Sequence, residues 1–330
     1  MTVSLGLIGA GRVAQVHVAQ LQGLAGIEVV AVADPRADAA AHLGEVTGAA
    51  VFSDFRQLLN DPRVNAVDIA VPHNRHYEVA SAAIAKGLHV FLEKPLAADL
   101  TEATALVALA DHYQSVFMVC HNLLFHPAVI RAKELLRDKP LGRLTCCRAW
   151  SRGWLDLAPG DFRLSREATG GGAWVDTASH LLYVLEDLVG PISDIVALVA
   201  CGDSRLGEED NAAGMVRFDG GGTGSLQISY SDWDANSSAG WPAAWHLGYQ
   251  LSGTQGAMQI DLAPSPVVHL QTSEVDDRTE LEANLDESFA GALREFVDAI
   301  ENGRVPRVSA GDALRTFKQV WNAGLTRSVP

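Results

Sequence analysis

Five apolar runs of strand length punctuate the first 120 residues: Val3–Ile8, then 28–33, 66–71, 88–92 and 115–119. Helical spacing fills stretches between them, over 12–24, 74–86 and 99–112. Strands that alternate with helices need crossovers, and crossovers give a parallel sheet covered on both faces. The pattern predicts an N-terminal α/β domain over 1–121.

The handover from the first strand to the first helix reads GLIGAGRVAQVH, residues 6–17. Gly9, Gly11 and Ala14 form G-x-G-x-x-A. The first glycine permits a tight turn, the second lets backbone approach a pyrophosphate, and Ala14 allows close helix–strand packing. The amides of the turn and helix head, from Gly9 and Gly11 to Arg12 and Val13, are the predicted phosphate contacts. Asp34 follows the second strand at the distance expected of a carboxylate that holds the adenosine ribose. It favours NAD over NADP, because a carboxylate repels a 2′-phosphate. Arg36 keeps NADP open, although a solvated helix-start role suits it better.

Two further constellations carry chemistry. Val71, Pro72, Asn74 and His76 fall at the carboxyl end of the third run, the side on which open parallel sheets bind ligands. Glu93-Lys94-Pro95 ends the next run, LHVFL. A lysine there can steady negative charge on an alkoxide or donate to a carbonyl oxygen, and a cis Lys-Pro bond would fix its aim. Later, GGGAWVDTASHLLYVLEDLVG (170–190) opens a helix in which Asp176 and His180 stand at i and i+4, on one face among apolar neighbours. His180 can take a hydroxyl proton, and Asp176 can orient its ring or touch a substrate hydroxyl.

Beyond residue 121 the texture changes. Helices are predicted over 128–137, 173–188, 287–301 and 309–326. Strands are predicted over 143–150, 192–201, 211–218, 223–230, 245–252, 256–261 and 266–271. Short turns between strands favour a large mixed, mainly antiparallel sheet, so 122–330 reads as an α+β domain for substrate binding and oligomerisation. Its C-terminal helix is a candidate to pack back on the first domain.

The net charge of −15 argues against a nucleic-acid surface. No run is long enough for a membrane span, and the apolar start carries no basic leader. Cys120, Cys146, Cys147 and Cys201 lack zinc spacing and read as reduced, buried thiols of a cytoplasmic protein, with no metal site.

Together GLIGAGRVAQVH, AVADP, VPHNRH, FLEKPLA and GGGAWVDTASHLL resemble the Gfo/Idh/MocA oxidoreductases, as does the ending FVDAIENGRVPRVSAGDALRTFKQVW. The resemblance spans nearly the whole chain. It implies a Rossmann domain, then a sheet domain used for dimer or tetramer contacts. It implies NAD(P)-dependent oxidation or reduction of a sugar, cyclitol or polyol hydroxyl. It places catalysis on Lys94, Asp176 and His180, Glu93 near the nicotinamide, and Asn74 and His76 near the nucleotide. One departure is Leu124, before Phe125, where many relatives carry a substrate-facing arginine. Asn122 and His126 are candidate replacements for its contacts, Asn122 toward cofactor and substrate, with a loop amide and a helix cap as their alternatives.

Trp154 and Arg163, in the loop before the Asp176 helix, are candidate substrate contacts: a ring to stack on a sugar face and a cation for a hydroxyl or carboxylate. Trp233, Trp241 and Trp245 form another aromatic group, better suited in part to a subunit interface. Two other functions fit the same motifs. One is NAD-dependent glycoside cleavage; the other is a non-catalytic dinucleotide and sugar sensor.

Overall fold

The computed structural model describes residues 2–202, 206, 209–234 and 245–324. They fall into two compact units, Met1–Asn122 with Phe289–Phe317, and Leu123–Ser288 with Lys318–Pro330. The first unit is therefore discontinuous, where the sequence reading drew one boundary near 121.

The first unit runs β1 (Val3–Ile8), α1 (Arg12–Leu21), β2 (Ile27–Ala33), α2 (Ala37–Thr47), β3 (Ala50–Phe52), α3 (Phe55–Leu58), β4 (Ala66–Ile69), α4 (His76–Ala85), β5 (His89–Glu93), α5 (Leu100–Ala110) and β6 (Phe117–Cys120). All six strands are parallel in the order β3-β2-β1-β4-β5-β6. The order reverses beside β1, so the glycine turn lies at the switch point where doubly wound sheets bind ligands. Burial on both faces explains the continuous apolar runs: Leu5, Leu7, Val67, Ile69, Val90, Phe91 and Leu92 are almost wholly inaccessible.

The returning chain closes this unit. The Val308 carbonyl accepts from the Val119 amide, and Ser309 bridges Met118, so the β6 edge is capped from the far end of the sequence. The ring of Phe289 lies 4.9 Å from that of His17 on α1.

The second unit contains α6 (Pro127–Leu135), β7 (Leu144–Gly153), α7 (Arg166–Thr169), α8 (Ala173–Val189), β8 (Ile192–Ala200), β9 (Asn211–Phe218), β10 (Thr223–Ser229), β11 (Trp245–Gly253), β12 (Gly256–Ala263), β13 (Val267–Thr272) and β14 (Asp276–Glu280). Two helices follow in the chain, α9 (Glu287–Glu301) and α10 (Ala310–Gly324). The eight-stranded sheet has the order β14-β13-β12-β11-β7-β10-β9-β8. Only β7 and β10 pair in parallel; every other neighbouring pair is antiparallel. The long helix α8 packs on β7, β9 and β10, and α6 on β12 and β13. Trp174 anchors α8, with its indole N–H donating 2.9 Å to the Val320 carbonyl.

The other face of this sheet is open. In β9 Ala212, Gly214 and Val216 are buried while Ala213, Met215 and Arg217 are exposed. Met215 pairs with exposed Val196, two residues from exposed Leu198.

Several elements depart from the sequence reading. Helices α2, α3 and α7 and strands β3 and β14 are additional to it, and α1 ends at Leu21, not 24. Cys120 and Cys147 are buried, but Cys146 and Cys201 are exposed, and all four are thiols. Among the described residues no helix is long and apolar enough to cross a membrane.

Candidate active site

The nucleotide end is built by backbone. Gly9 has φ +99, the left-handed region, and a Cβ placed on it would lie 2.2 Å from the Ala70 carbonyl oxygen. Only glycine fits between β1 and β4 here. Gly11 caps α1 without any side-chain hydrogen bond, and a Cβ on it would meet nothing within 4 Å. The helix head, with Arg12 and Val13 in its first turn, therefore presents amides and the positive end of its dipole to open space.

Asp34 closes this turn from β2. Its Oδ2 accepts from the Ala10 amide at 2.7 Å, and its Oδ1 accepts from the Arg36 amide at 2.8 Å. The Arg36 guanidinium adds contacts to Oδ1 at 3.1 Å and Oδ2 at 3.2 Å. Burial alone would raise the carboxyl's pKa; the bonds from Arg36 and Ala10 reverse that and lower it. The Arg36 side chain is 61% exposed, so it can swing off the carboxylate at little cost. An open helix head, an obligatory glycine and a fixed carboxylate fit a dinucleotide.

Along the same sheet edge, Val71 and Pro72 are half-buried and Asn74 is exposed. His76 is fully buried. Its ring nitrogens face two carbonyls, Pro95 at 2.7 Å and Val71 at 2.9 Å. It points inward and presents no ring nitrogen to a ligand, unlike the cofactor contact predicted. Glu93 ends β5 and is buried, Lys94 beside it is half-buried, and the Lys94–Pro95 bond is cis. Asn122 is 5% exposed, in a single 3-10 turn shared with Leu124, which is buried.

In the second unit, Asp176 and His180 are the only half-exposed residues between Ala173 and Leu185 on α8. One face of an otherwise buried helix thus opens at these two side chains. Tyr230, just past β10, donates its hydroxyl proton to Asp176 Oδ2 at 2.6 Å, and lies 2.6 Å from the Thr177 hydroxyl. Burial, then the Asp176 charge, raises the phenol's pKa well above its usual value, so it stays a donor. A small cleft lies here, lined among others by Asp176, Tyr230, Arg163, Glu209 and Leu157.

Arg163 thus reaches the same cleft as Asp176, held by a two-pronged pair to Asp161 at 2.9 and 2.7 Å. Trp154 is half-buried just past β7, bridging Ser231. His126 is not a ligand contact: it is fully buried and its Nδ1 caps α6, accepting from the Ala128 amide at 3.2 Å. Burial depresses its pKa to about 4, as an accepting neutral ring requires.

The tryptophan group disperses. Trp245 is buried in β11, with its N–H on the Ser151 hydroxyl at 3.0 Å, Trp233 is 69% exposed, and Trp241 lies outside the described residues. Asp232 and Asp234 pair with Arg152 and His246.

Sequence reasoning missed Tyr230, and beneath Glu93 it missed His17 and Asp68. The only local sign of the latter was a carboxylate inside the apolar run AVDIAV.

The sequence matches the Gfo/Idh/MocA oxidoreductase family, NAD-binding Rossmann fold, over residues 3–121, and that family's C-terminal domain over 129–259. The chain belongs to the Gfo/Idh/MocA oxidoreductases. Its first unit is accordingly an NAD-binding Rossmann fold. Among characterised family members, 1,5-anhydro-D-fructose reductase of Ensifer adhaerens is 28% identical over 319 residues, covering 94% of this chain and 91% of that protein. Myo-inositol 2-dehydrogenase of Thermotoga maritima is 25% identical, covering 93% and 91%. A solved levoglucosan dehydrogenase, in complex with NADH and levoglucosan, superposes with a TM-score of 0.86 at 22% identity, covering 99% of this chain and 98% of that one. That last likeness is one of fold.

Proposed function

We propose that this oxidoreductase interconverts a secondary hydroxyl and the corresponding carbonyl of a small neutral sugar, cyclitol or related polyol. The observation that carries the reading is the Asp176–His180 pair, half-exposed on an otherwise buried stretch of helix, within a family whose members include sugar and inositol dehydrogenases. The nicotinamide, when bound at the glycine turn, accepts or supplies the hydride. Gly9, Gly11, Arg12, Val13 and Asp34 hold the dinucleotide, joined by Val71, Pro72, Asn74 and Asn122.

His180 takes the hydroxyl proton as the alcohol is oxidised and returns it in the reverse direction. Lys94 donates to the reacting oxygen and steadies its charge. Asp176, held by Tyr230, orients a substrate hydroxyl, while Trp154 and Arg163 border the substrate. Arg36 leaves NADP as a second cofactor. The protein works in the cytoplasm as a homodimer or homotetramer, with a second copy over the open face that bears Val196, Leu198 and Met215.

The test is a polyol and sugar screen at the NADH absorbance, run with NAD and NADP, followed by Lys94→Ala. That variant should bind NADH normally and lose most turnover. Near-normal turnover removes Lys94 from the mechanism, and no dehydrogenation of any polyol removes the substrate class.

A further inference from the structure

The buried side of the Lys94 turn holds ionisable groups that none of these steps uses. His17, on α1, is fully inaccessible. Its Nδ1 lies 2.7 Å from Asp68 Oδ2 on β4, and its Nε2 lies 3.2 Å from Glu93 Oε1 at the end of β5. The Cys120 thiol, ending β6, lies within 4.8 Å of the same Glu93 carboxylate. The rings of Phe91 and Phe289 close the space at 5.7 and 4.9 Å. Glu93 Oε2 in turn accepts from the Lys94 amide at 3.2 Å. On the other side of Lys94, the His76 ring sits between the Pro95 and Val71 carbonyls; burial lowers its pKa, so the neutral ring donates its one N–H to one of them and packs against the other, between the turn and the end of β4.

We propose that His17 and His76 are positioning residues for Lys94: from two different helices they fix Glu93 and Pro95, its neighbours on either side, and so set where its ammonium points. The proposal rests on the role given to Lys94 above.

The electrostatics fit. Two buried carboxylates, Asp68 and Glu93, need a cation between them, and a protonated His17 supplies it. Burial works against that proton, but Asp68 and then Glu93 outweigh it and raise the ring's pKa to about 10. The other groups facing the network are Cys120, whose thiol is held protonated by burial, and Lys94, whose charge favours ionised Glu93. His17, Glu93 and Cys120 also place ligand atoms within 4.8 Å of one another, close enough for a cation. A doubly protonated ring has no lone pair to offer one, so the proposal requires metal-free protein.

The test combines Asp68→Asn, His17→Gln and His76→Gln with Lys94→Ala, using the substrate found in the screen. In the wild type, ¹⁵N ring shifts should show His17 still protonated above pH 8, and metal analysis should find none. Asp68→Asn keeps an acceptor for Nδ1 but removes a charge, so the ring should titrate at lower pH. The kcat profile should gain a falling alkaline limb at that same pH. His17→Gln and His76→Gln should lower kcat about tenfold to hundredfold, the scale of a small misplacement of a reacting group, with NADH affinity near normal; His76→Gln should keep its melting temperature, while His17→Gln should lose some, because Asp68 and Glu93 are left without their cation.

A wild-type ring titrating near its ordinary 6.5, stoichiometric bound metal, or unchanged kcat in both histidine variants would each overturn the proposal. If Asp68→Asn or His17→Gln fails to fold, the wild-type ¹⁵N shifts still decide the His17 half, and His76→Gln, which disturbs no buried ion pair, decides its own. If Lys94→Ala turns over normally, the catalytic reading falls. If that variant is dead while both histidine variants are unchanged, only the positioning role falls.

Discussion

The nucleotide end of the first unit and the Asp176 face of the second are built on opposite plans. At the first, backbone does the recognising: a left-handed glycine, an uncapped helix head and one carboxylate, all within 26 residues from Gly9 to Asp34. At the second, side chains meet across long stretches of chain, with Tyr230 reaching Asp176 from 54 residues away. A backbone site tolerates almost no added atom. A side-chain site tolerates changes of shape but depends on single hydrogen bonds.

Substitutions at the two ends should separate along that line. The largest effect belongs to Gly9→Ala, which combines a left-handed φ with a 2.2 Å clash on the Ala70 carbonyl. It should cost on the order of 1–3 kcal/mol in folding and weaken NADH at least about tenfold. Thermal melts and fluorescence titration read both.

Gly11→Ala sharpens the contrast, because its Cβ meets nothing in the protein. Melting temperature should hold while NADH affinity falls, since the added methyl intrudes only on the ligand. Equal losses at both glycines would erase the distinction.

At the other end, Tyr230→Phe should leave NADH affinity unchanged and lower kcat/KM about tenfold, the scale of one hydrogen bond to a charged group. A matched loss of NADH affinity would show that the two ends are not independent.

Stability against pH tests the comparison in a different way. His17 has its pKa raised, so its contribution is complete below about 6.5 and is lost as pH rises through about 10. Asp34 has its pKa lowered from 3.8, so its contribution is present above that value and lost as pH falls below it. Melting temperature against pH should therefore sag on the alkaline side from the first group and on the acid side from the second. Asp68→Asn should move the alkaline sag to lower pH.

What could be read from the sequence follows the same divide. The glycine turn, Asp34 and the Asp176–His180 spacing are local patterns, and local geometry enforces them. The mixed sheet was legible because its strands alternate cleanly, as β9 does. Strand β14, DDRTE, was not, since an edge strand with alternating charges offers no apolar face. The three-residue β3 and the alanine-rich α2 were too weakly patterned to register. His76 was placed beside the cofactor because it follows a strand end, but the helix it begins turns the ring inward onto Pro95. His17, Asp68 and Tyr230 act over 51 to 54 residues, and no local spacing encodes such pairs.

The late return of the chain to the first unit bears on synthesis. The cover on His17, Phe289, and the cap on the β6 edge, Val308 and Ser309, leave the ribosome long after the six parallel strands. A nascent Rossmann half must wait, with one sheet margin unpaired, through the making of Leu123–Ser288, most of the second unit. A truncated chain ending at Asn122 should consequently self-associate, even though it holds the complete dinucleotide fingerprint.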